Sequence, residues 1–148
     1  MRRGTFFVVA QSVLFVAVAV APRMRQSDWP DGLRVFGVVL ALAGVALCVW
    51  GVRALGPAMT ALPEPRPAVP VATGGPYRAV RHPVYTGVLL ICLGVSLARS
   101  TWLGVVLTVV LAVLFDVKAR YEERLLRRDP DYAAYAERTR SRFVPRIY

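Results

Sequence analysis

Histidine and lysine each occur once in the 148 residues, against eighteen arginines, and there are only two cysteines and nine acids. These scarcities exclude several classes. Cys48 and Cys92 both lie inside apolar runs, so they read as small buried hydrophobes and not as a disulfide framework. A single histidine with no cysteine pair at ligand spacing offers no protein-bound metal site. The length leaves room for one domain, taken as residues 1–148. Acids are outnumbered enough to leave a net charge of +10, and clustered arginine suits the phosphates of nucleic acid. Here, however, the basic residues stand between and after apolar runs, so they read as flanking charge at an anionic lipid surface, with no nucleic-acid partner. The preference for Arg over Lys, with heavy use of Ala, Val and Gly, is the usage of a GC-rich bacterial genome.

What the chain has instead is apolar length. Hydrophobic residues make up 56% and mean hydropathy is +0.49, above the about 45–50% of an ordinary soluble domain. The excess is gathered in four runs: Thr5–Ala21, Leu33–Leu55, Val84–Ala98 and Thr101–Val117. A spanning helix needs about 20 residues, within a range of about 17–25. The second run meets this comfortably, and the first and fourth do so with their flanks. The third is short even if its helix starts at Pro83, a residue suited to the first helical position. Only Arg99-Ser100 separates the last two runs, so they read as a tight hairpin that need not cross the whole bilayer. The expected fold is all-α: an integral membrane bundle of about four transmembrane helices, with a cytoplasmic helical extension after the hairpin.

The first run also has the form of a signal peptide, with Arg2-Arg3 ahead of it and small residues through Ala21, but retention as a first helix is the favoured expectation. Placing the N-terminus, the segment between the second and third runs, and the C-terminal region together on the cytoplasmic side gathers all the basic residues there except Arg23, Arg25, Arg34 and Arg99. The expected location is the cell (inner) membrane, multi-pass, with both termini cytoplasmic.

Gly37, Gly44 and Gly51 recur at a seven-residue interval in the second run, and Gly104, Thr108 and Ala112 make a similar stripe in the fourth. Small residues on one face let helix backbones approach closely in lipid. Such stripes serve either contacts within the bundle or a homodimer face. From Gly56 to Gly75 the character changes: Pro57, Pro63, Pro65, Pro67 and Pro70 preclude a regular helix and Gly74-Gly75 marks a turn. After the fourth run the helical pattern continues through Lys118, Glu122, Glu123 and Leu126 until Asp129-Pro130 stops it.

Two polar clusters flank the hairpin, Tyr77–Tyr85 before it and Lys118–Glu123 after it. An antiparallel hairpin brings them together, and ionisable groups at a membrane helix end are functional candidates. His82 precedes a helix-starting proline, so it is either an N-cap or, with Arg81 and Tyr85, one wall of a polar pocket. Adjacent Glu122 and Glu123 point about 100° apart on a helix, so one can meet a ligand while the other pairs with arginine or faces water. Lys118, four residues before Glu122, also suits a plain i to i+4 ion pair.

The stretch Thr73-Gly74-Gly75-Pro76-Tyr77-Arg78-Ala79-Val80-Arg81-His82-Pro83-Val84-Tyr85-Thr86-Gly87 resembles the signature of the isoprenylcysteine carboxyl methyltransferase and phospholipid methyltransferase superfamily. The resemblance continues through Glu122-Glu123-Arg124-Leu125-Leu126, Asp131-Tyr132-Ala133-Ala134-Tyr135 and Val144-Pro145-Arg146-Ile147, over roughly residues 33 to 148. It implies an integral membrane methyltransferase using S-adenosyl-L-methionine, held between the last two helices and their cytoplasmic extensions, by residues 69–87 and 118–135. On this resemblance Tyr77, Arg81, His82, Pro83, Val84 and Tyr85 line the cofactor site. Glu122 holds polar cofactor groups with Glu123 near it, and the backbone from Val69 through Val71 and Ala72 passes beside the adenosine. Glu122 and His82 are the candidate catalytic residues. Lys118 stands where prenylcysteine-methylating relatives have an arginine that contacts substrate, so it is the candidate substrate-binding residue. The acceptor is expected to be lipophilic or a small thiol or carboxylate. An NADPH-dependent membrane reductase of the sterol type and a non-enzymatic membrane scaffold are the alternatives.

Overall fold

The computed structural model describes residues 2–24, 27–56 and 71–146, and all regular structure among them is helical. Helix α1 runs Arg2–Met24, α2 Asp31–Leu55, α3 Pro83–Ala98, α4 Trp102–Leu126 and α5 Pro130–Arg138, with a 3-10 turn at Gly75–Arg78 before α3. The proline-rich stretch from Pro57 to Pro70 lies outside the described residues, as do Arg25 and Ile147.

Local chemistry sets the ends. Asp31 in the first turn of α2 complements the positive end of the helix dipole. Gly56 follows its last turn at φ 52°, a left-handed geometry that glycine adopts without a Cβ penalty. Pro83 opens α3, and its absent amide hydrogen would have lacked a partner there in any case. Asp129-Pro130 ends α4, as the sequence indicates, but it also starts a helix. The Asp129 carboxylate accepts a hydrogen bond from the Asp131 amide at 2.9 Å, and α5 follows from Pro130. Sequence reasoning takes this dipeptide as a stop and misses its role as an N-cap.

Gly4–Arg23, Asp31–Leu55 and Trp102–Leu126 are long and apolar enough to cross a bilayer, whereas the apolar Pro83–Ala98 is shorter. The expectation of about four transmembrane helices thus resolves into three of spanning length and one short partner. Val9, Val13 and Val16 on α1, Val35, Val39 and Leu42 on α2, and Val106, Val109 and Val113 on α4 are exposed. Recurring at helical spacing, they give each long helix an outward apolar face suited to lipid.

The helices are arranged side by side in the order α2, α3, α4, α1. The closest approach is not within the α3–α4 hairpin but between α2 and α3. A Cβ on Gly37 would meet the Ala98 amide nitrogen at 2.5 Å, and one on Gly44 would meet the Gly87 carbonyl oxygen at 2.6 Å. From the other side, a Cβ on Gly94 would lie 2.5 Å from both the Ala41 nitrogen and the Gly37 oxygen. The glycine stripe of α2 therefore meets small residues of α3 backbone to backbone. With α3 seated on it, that stripe is buried within the chain. In the fourth-run stripe, Gly104 and Thr108 are likewise buried within the chain. Helix α1 packs on α4 through Phe15 against Phe115 and Phe7 against Tyr121. Val18, Cys92, Leu111, Phe115, Ala119 and Phe143 form the buried core.

A methyl group forced between the two backbones should separate them. Gly94→Val is expected to cost on the order of 3 kcal/mol or more by overpacking, seen as a lower thermal midpoint in detergent. Gly32→Ala, with nothing within 4 Å of the new Cβ, should leave that midpoint unchanged or raise it.

Candidate active site

The two polar clusters named by the sequence do converge, and one carboxylate gathers most of them. Glu123, on α4, is buried. Arg81 donates to it from Nε to Oε1 at 2.9 Å and from Nη2 to Oε2 at 3.2 Å. Arg142 donates from Nε to Oε1 at 3.2 Å, and His82 Nε2 lies 3.0 Å from the same oxygen. Because a carboxylate flanked by two guanidiniums is an acceptor, the His82 Nε2 is the nitrogen that donates to it, and Nδ1 is the one turned toward Glu122.

Arg81 is engaged on all sides. Its Nη1 donates to the carbonyls of Thr139 at 2.7 Å and Arg140 at 2.6 Å. The backbone around it is paired as well: the Arg81 amide donates to the Ser141 carbonyl and the His82 amide to the Arg142 carbonyl, both at 3.0 Å. Thr86 Oγ1 donates to the Phe143 carbonyl at 2.9 Å. The segment after α5 is thereby fastened along the start of α3. This guanidinium meets protein acceptors and acts as a clamp. His82 occupies the N-cap position of α3, yet its side chain caps no amide. The ring turns to Glu123, so the plain capping explanation of this residue does not hold.

Glu122, one residue earlier, is treated differently. Tyr85 donates to its Oε1 at 2.7 Å, and the Lys118 Nζ is 3.9 Å from it. Among the described residues its second oxygen, Oε2, has no hydrogen-bond donor in range; the His82 Nδ1 stands 3.9 Å away. The two adjacent glutamates thus have separate tasks, one held by arginines and one with an acceptor left over. An aromatic stack supports this wall. Tyr85 lies parallel to His82, with centroids 5.3 Å apart, and to Phe115 at 4.5 Å, while Phe143 covers the other side of His82 at 5.9 Å.

A second cluster closes the site from α5. Tyr77, Tyr132, Tyr135 and Ala136 are buried together, with Val71, Ala72, Ala54, Leu55 and Leu126 packed against them. The Tyr135 hydroxyl donates to the Tyr77 carbonyl at 2.7 Å. Burial pushes the Tyr135 phenol up to about 12 and raises those of Tyr77 and Tyr132 as well, so all three stay uncharged donors at neutral pH. Val71 and Ala72 pack against this tyrosine cluster, whereas Val69 and Pro70 lie outside the described residues. Pro83 and Val84 contribute differently. Pro83 is buried at the helix start, and Val84 faces α2, with its carbonyl 3.5 Å from the Cys48 Sγ and its Cγ2 2.9 Å from a Cβ placed on Gly51.

Lys118 is 2% exposed. It donates to the Gln11 Oε1 of α1 at 2.9 Å and sits 5.2 Å from the centre of the Tyr85 ring. Neither Gln11 nor Arg142 is marked out by the sequence. Gln11 interrupts an apolar run, the one local signal available, while Arg142 is one of many arginines in a basic tail. Among the described residues no group of three or more His, Cys, Asp or Glu is gathered so as to hold a metal ion.

Removing one partner of a buried ion pair leaves the other uncompensated, typically at about 3–5 kcal/mol. Arg81→Met should therefore both lower the thermal midpoint and release the tail, making the bonds after Arg138 and Arg140 trypsin-sensitive in the purified protein. A tail equally resistant in wild type and variant would show that Arg81 is not its clamp.

Over 152 residues the chain is 26% identical to the nickel-cobalt-cadmium resistance protein NccN of Alcaligenes xylosoxydans xylosoxydans, covering 99% of this chain and 65% of that protein. Over 79 residues it is 37% identical to the cobalt-zinc-cadmium resistance protein CzcN of Cupriavidus metallidurans, covering 52% of this chain and 36% of the relative. The chain thus spans less than two thirds of the length of either relative. Residues 33–130, from the start of α2 to the cap of α5, match the phospholipid methyltransferase family. That stretch contains α2, α3, α4 and both glutamates, and the chain belongs to this family of membrane methyltransferases.

Proposed function

We propose that the protein is a multi-pass membrane methyltransferase that uses S-adenosyl-L-methionine and acts on a lipophilic acceptor or a small thiol or carboxylate. The observation that carries this reading is the unequal use of the two glutamates. Glu123 is saturated by Arg81, Arg142 and His82, while Glu122 is held in place by Tyr85 with an oxygen still able to accept. The residues fit the cofactor chemically. That oxygen can receive hydroxyl or amino hydrogens, the Tyr77 and Tyr132 hydroxyls can donate, and Val71, Ala72 and Leu126 offer an apolar wall to a base.

When bound, S-adenosyl-L-methionine supplies a methyl group on a sulfonium, an electrophile that already has a good leaving group. The chain is therefore required mainly to orient and to exclude water. Tyr85, stacked between His82 and Phe115, fixes the position of Glu122. A thiolate or carboxylate acceptor needs no base. For a protonated acceptor the His82 Nδ1 can take the proton, because Nε2 is committed to Glu123. Lys118 offers a positive charge on the acceptor side. The basic residues support a site and termini on the cytoplasmic side of the cell membrane, with the polar cofactor entering from water and an apolar acceptor from lipid.

Calorimetric titration of the purified protein with S-adenosylmethionine, S-adenosylhomocysteine and NADPH tests the reading. The first two should bind and the third should not. Absence of binding by either adenosyl compound, or binding of NADPH alone, would overturn it. Glu122→Gln and His82→Ala should each weaken S-adenosylhomocysteine binding by about tenfold, the effect of one hydrogen bond to a charged group, with the thermal midpoint showing that both variants remain folded. Incubating membrane extracts with a radiolabelled methyl donor then identifies the acceptor.

A further inference from the structure

Lys118 is the sole lysine of the chain, lies four residues before Glu122 on the same helix, and is buried. An ammonium in that position, out of water, would be drawn onto the carboxylate and would occupy it. It forms only a long ion pair there, with Nζ 3.9 Å from Glu122 Oε1. Gln11 and Tyr85 are among the groups that hold it at that distance. Gln11 accepts from Nζ at 2.9 Å, and the face of Tyr85 lies beneath it with the ring centre at 5.2 Å. Tyr85 meanwhile donates to Glu122, so the same ring separates the cation from the carboxylate and occupies the oxygen nearest to it.

We infer that Gln11 is a positioning residue of the active site: its amide oxygen keeps the Lys118 ammonium off Glu122, so that the Glu122 carboxylate remains available to the ligand. The residue sits on α1, ahead of the residues 33–130 matched by the family, and it is the polar group that α1 presents to α4 at this level, between the Phe7–Tyr121 and Phe15–Phe115 contacts. Helix α1 is thereby a working part of the site as well as a membrane anchor. The inference rests on the proposed role of Glu122 in cofactor binding.

Removing the acceptor should let Lys118 collapse onto Glu122. Gln11→Leu is expected to weaken S-adenosylhomocysteine binding about tenfold, the scale of one charged hydrogen bond. Gln11→Glu, which keeps an acceptor, should bind near the wild-type level. The double variant Gln11→Leu with Lys118→Met should recover binding, which a purely structural role of Gln11 would not allow. Unchanged binding in Gln11→Leu, or no recovery in the double variant, would overturn the inference.

A second measurement does not depend on the cofactor. With lysine labelled at Nζ with nitrogen-15, the full chain gives one side-chain resonance. Glu122→Gln should shift it little in the wild-type background and strongly in the Gln11→Leu background. Equal shifts in the two backgrounds would overturn the positioning role. A wild-type protein that binds no adenosyl compound while showing unequal shifts would instead count against the proposed function and leave the positioning role standing.

Discussion

The buried carboxylate of Glu123 is the constraint on which the rest of the site depends. In a low-dielectric setting a lone carboxylate is costly, and the chain meets that cost by converging two arginines and a histidine on it. Each of those donors brings a structural element with it. Arg81 and His82 bring the start of α3, and Arg142 brings the segment that follows α5. The Arg81 guanidinium adds the carbonyls of Thr139 and Arg140, so one ion cluster ties together three parts of the chain distant in sequence. Glu122 gains its own character by contrast: the neighbouring residue has taken the arginines, and it keeps the Tyr85 phenol, a more distant Lys118 ammonium and an oxygen able to accept.

The packing below this cluster follows from lipid as solvent. Where water cannot drive apolar helices together, close backbone approach and interhelical polar contacts do the work. The glycines of α2 and α3 supply the first of these. The Lys118–Gln11 hydrogen bond supplies the second, between α4 and α1. The two contacts lie on opposite sides of the α3–α4 pair, one fixing it to α2 and the other to α1.

Much of this was legible in the residues and some was not. The apolar runs placed α1 to α3 and the start of α4 within about a turn of their observed ends, because length and hydropathy are dominated by the bilayer constraint, and the helical pattern beyond Val117 gave the end of α4. The convergence of Tyr77–Tyr85 with Lys118–Glu123 followed from the short Arg99-Ser100 connection. The division of labour between the two glutamates could be stated as a choice, from the angle between successive residues, but not assigned. Assignment depends on Arg142, which arrives from 19 residues away and looks like any other basic tail residue. Helix α5 was hidden because Asp-Pro terminates one helix with the same chemistry that caps the next. Gln11 was hidden because its partner lies 107 residues later, a separation that no local pattern reports. Arg81 was identified as a site residue, but its role depends on carbonyls beyond α5 that sequence does not locate.

The brevity of α3 has a consequence for where chemistry can happen. Sixteen residues rise about 24 Å at about 1.5 Å each, against a hydrocarbon thickness of about 30 Å. With the tight Arg99–Thr101 turn tying its far end to the start of α4, the missing length falls at the end where Pro83, His82 and the two glutamates sit. The polar cluster then sits at the short end of α3, beside helices long enough to continue past it. On the proposed function, a short α3 would let a water-soluble cofactor and a lipid-dissolved acceptor approach the same cluster from different directions.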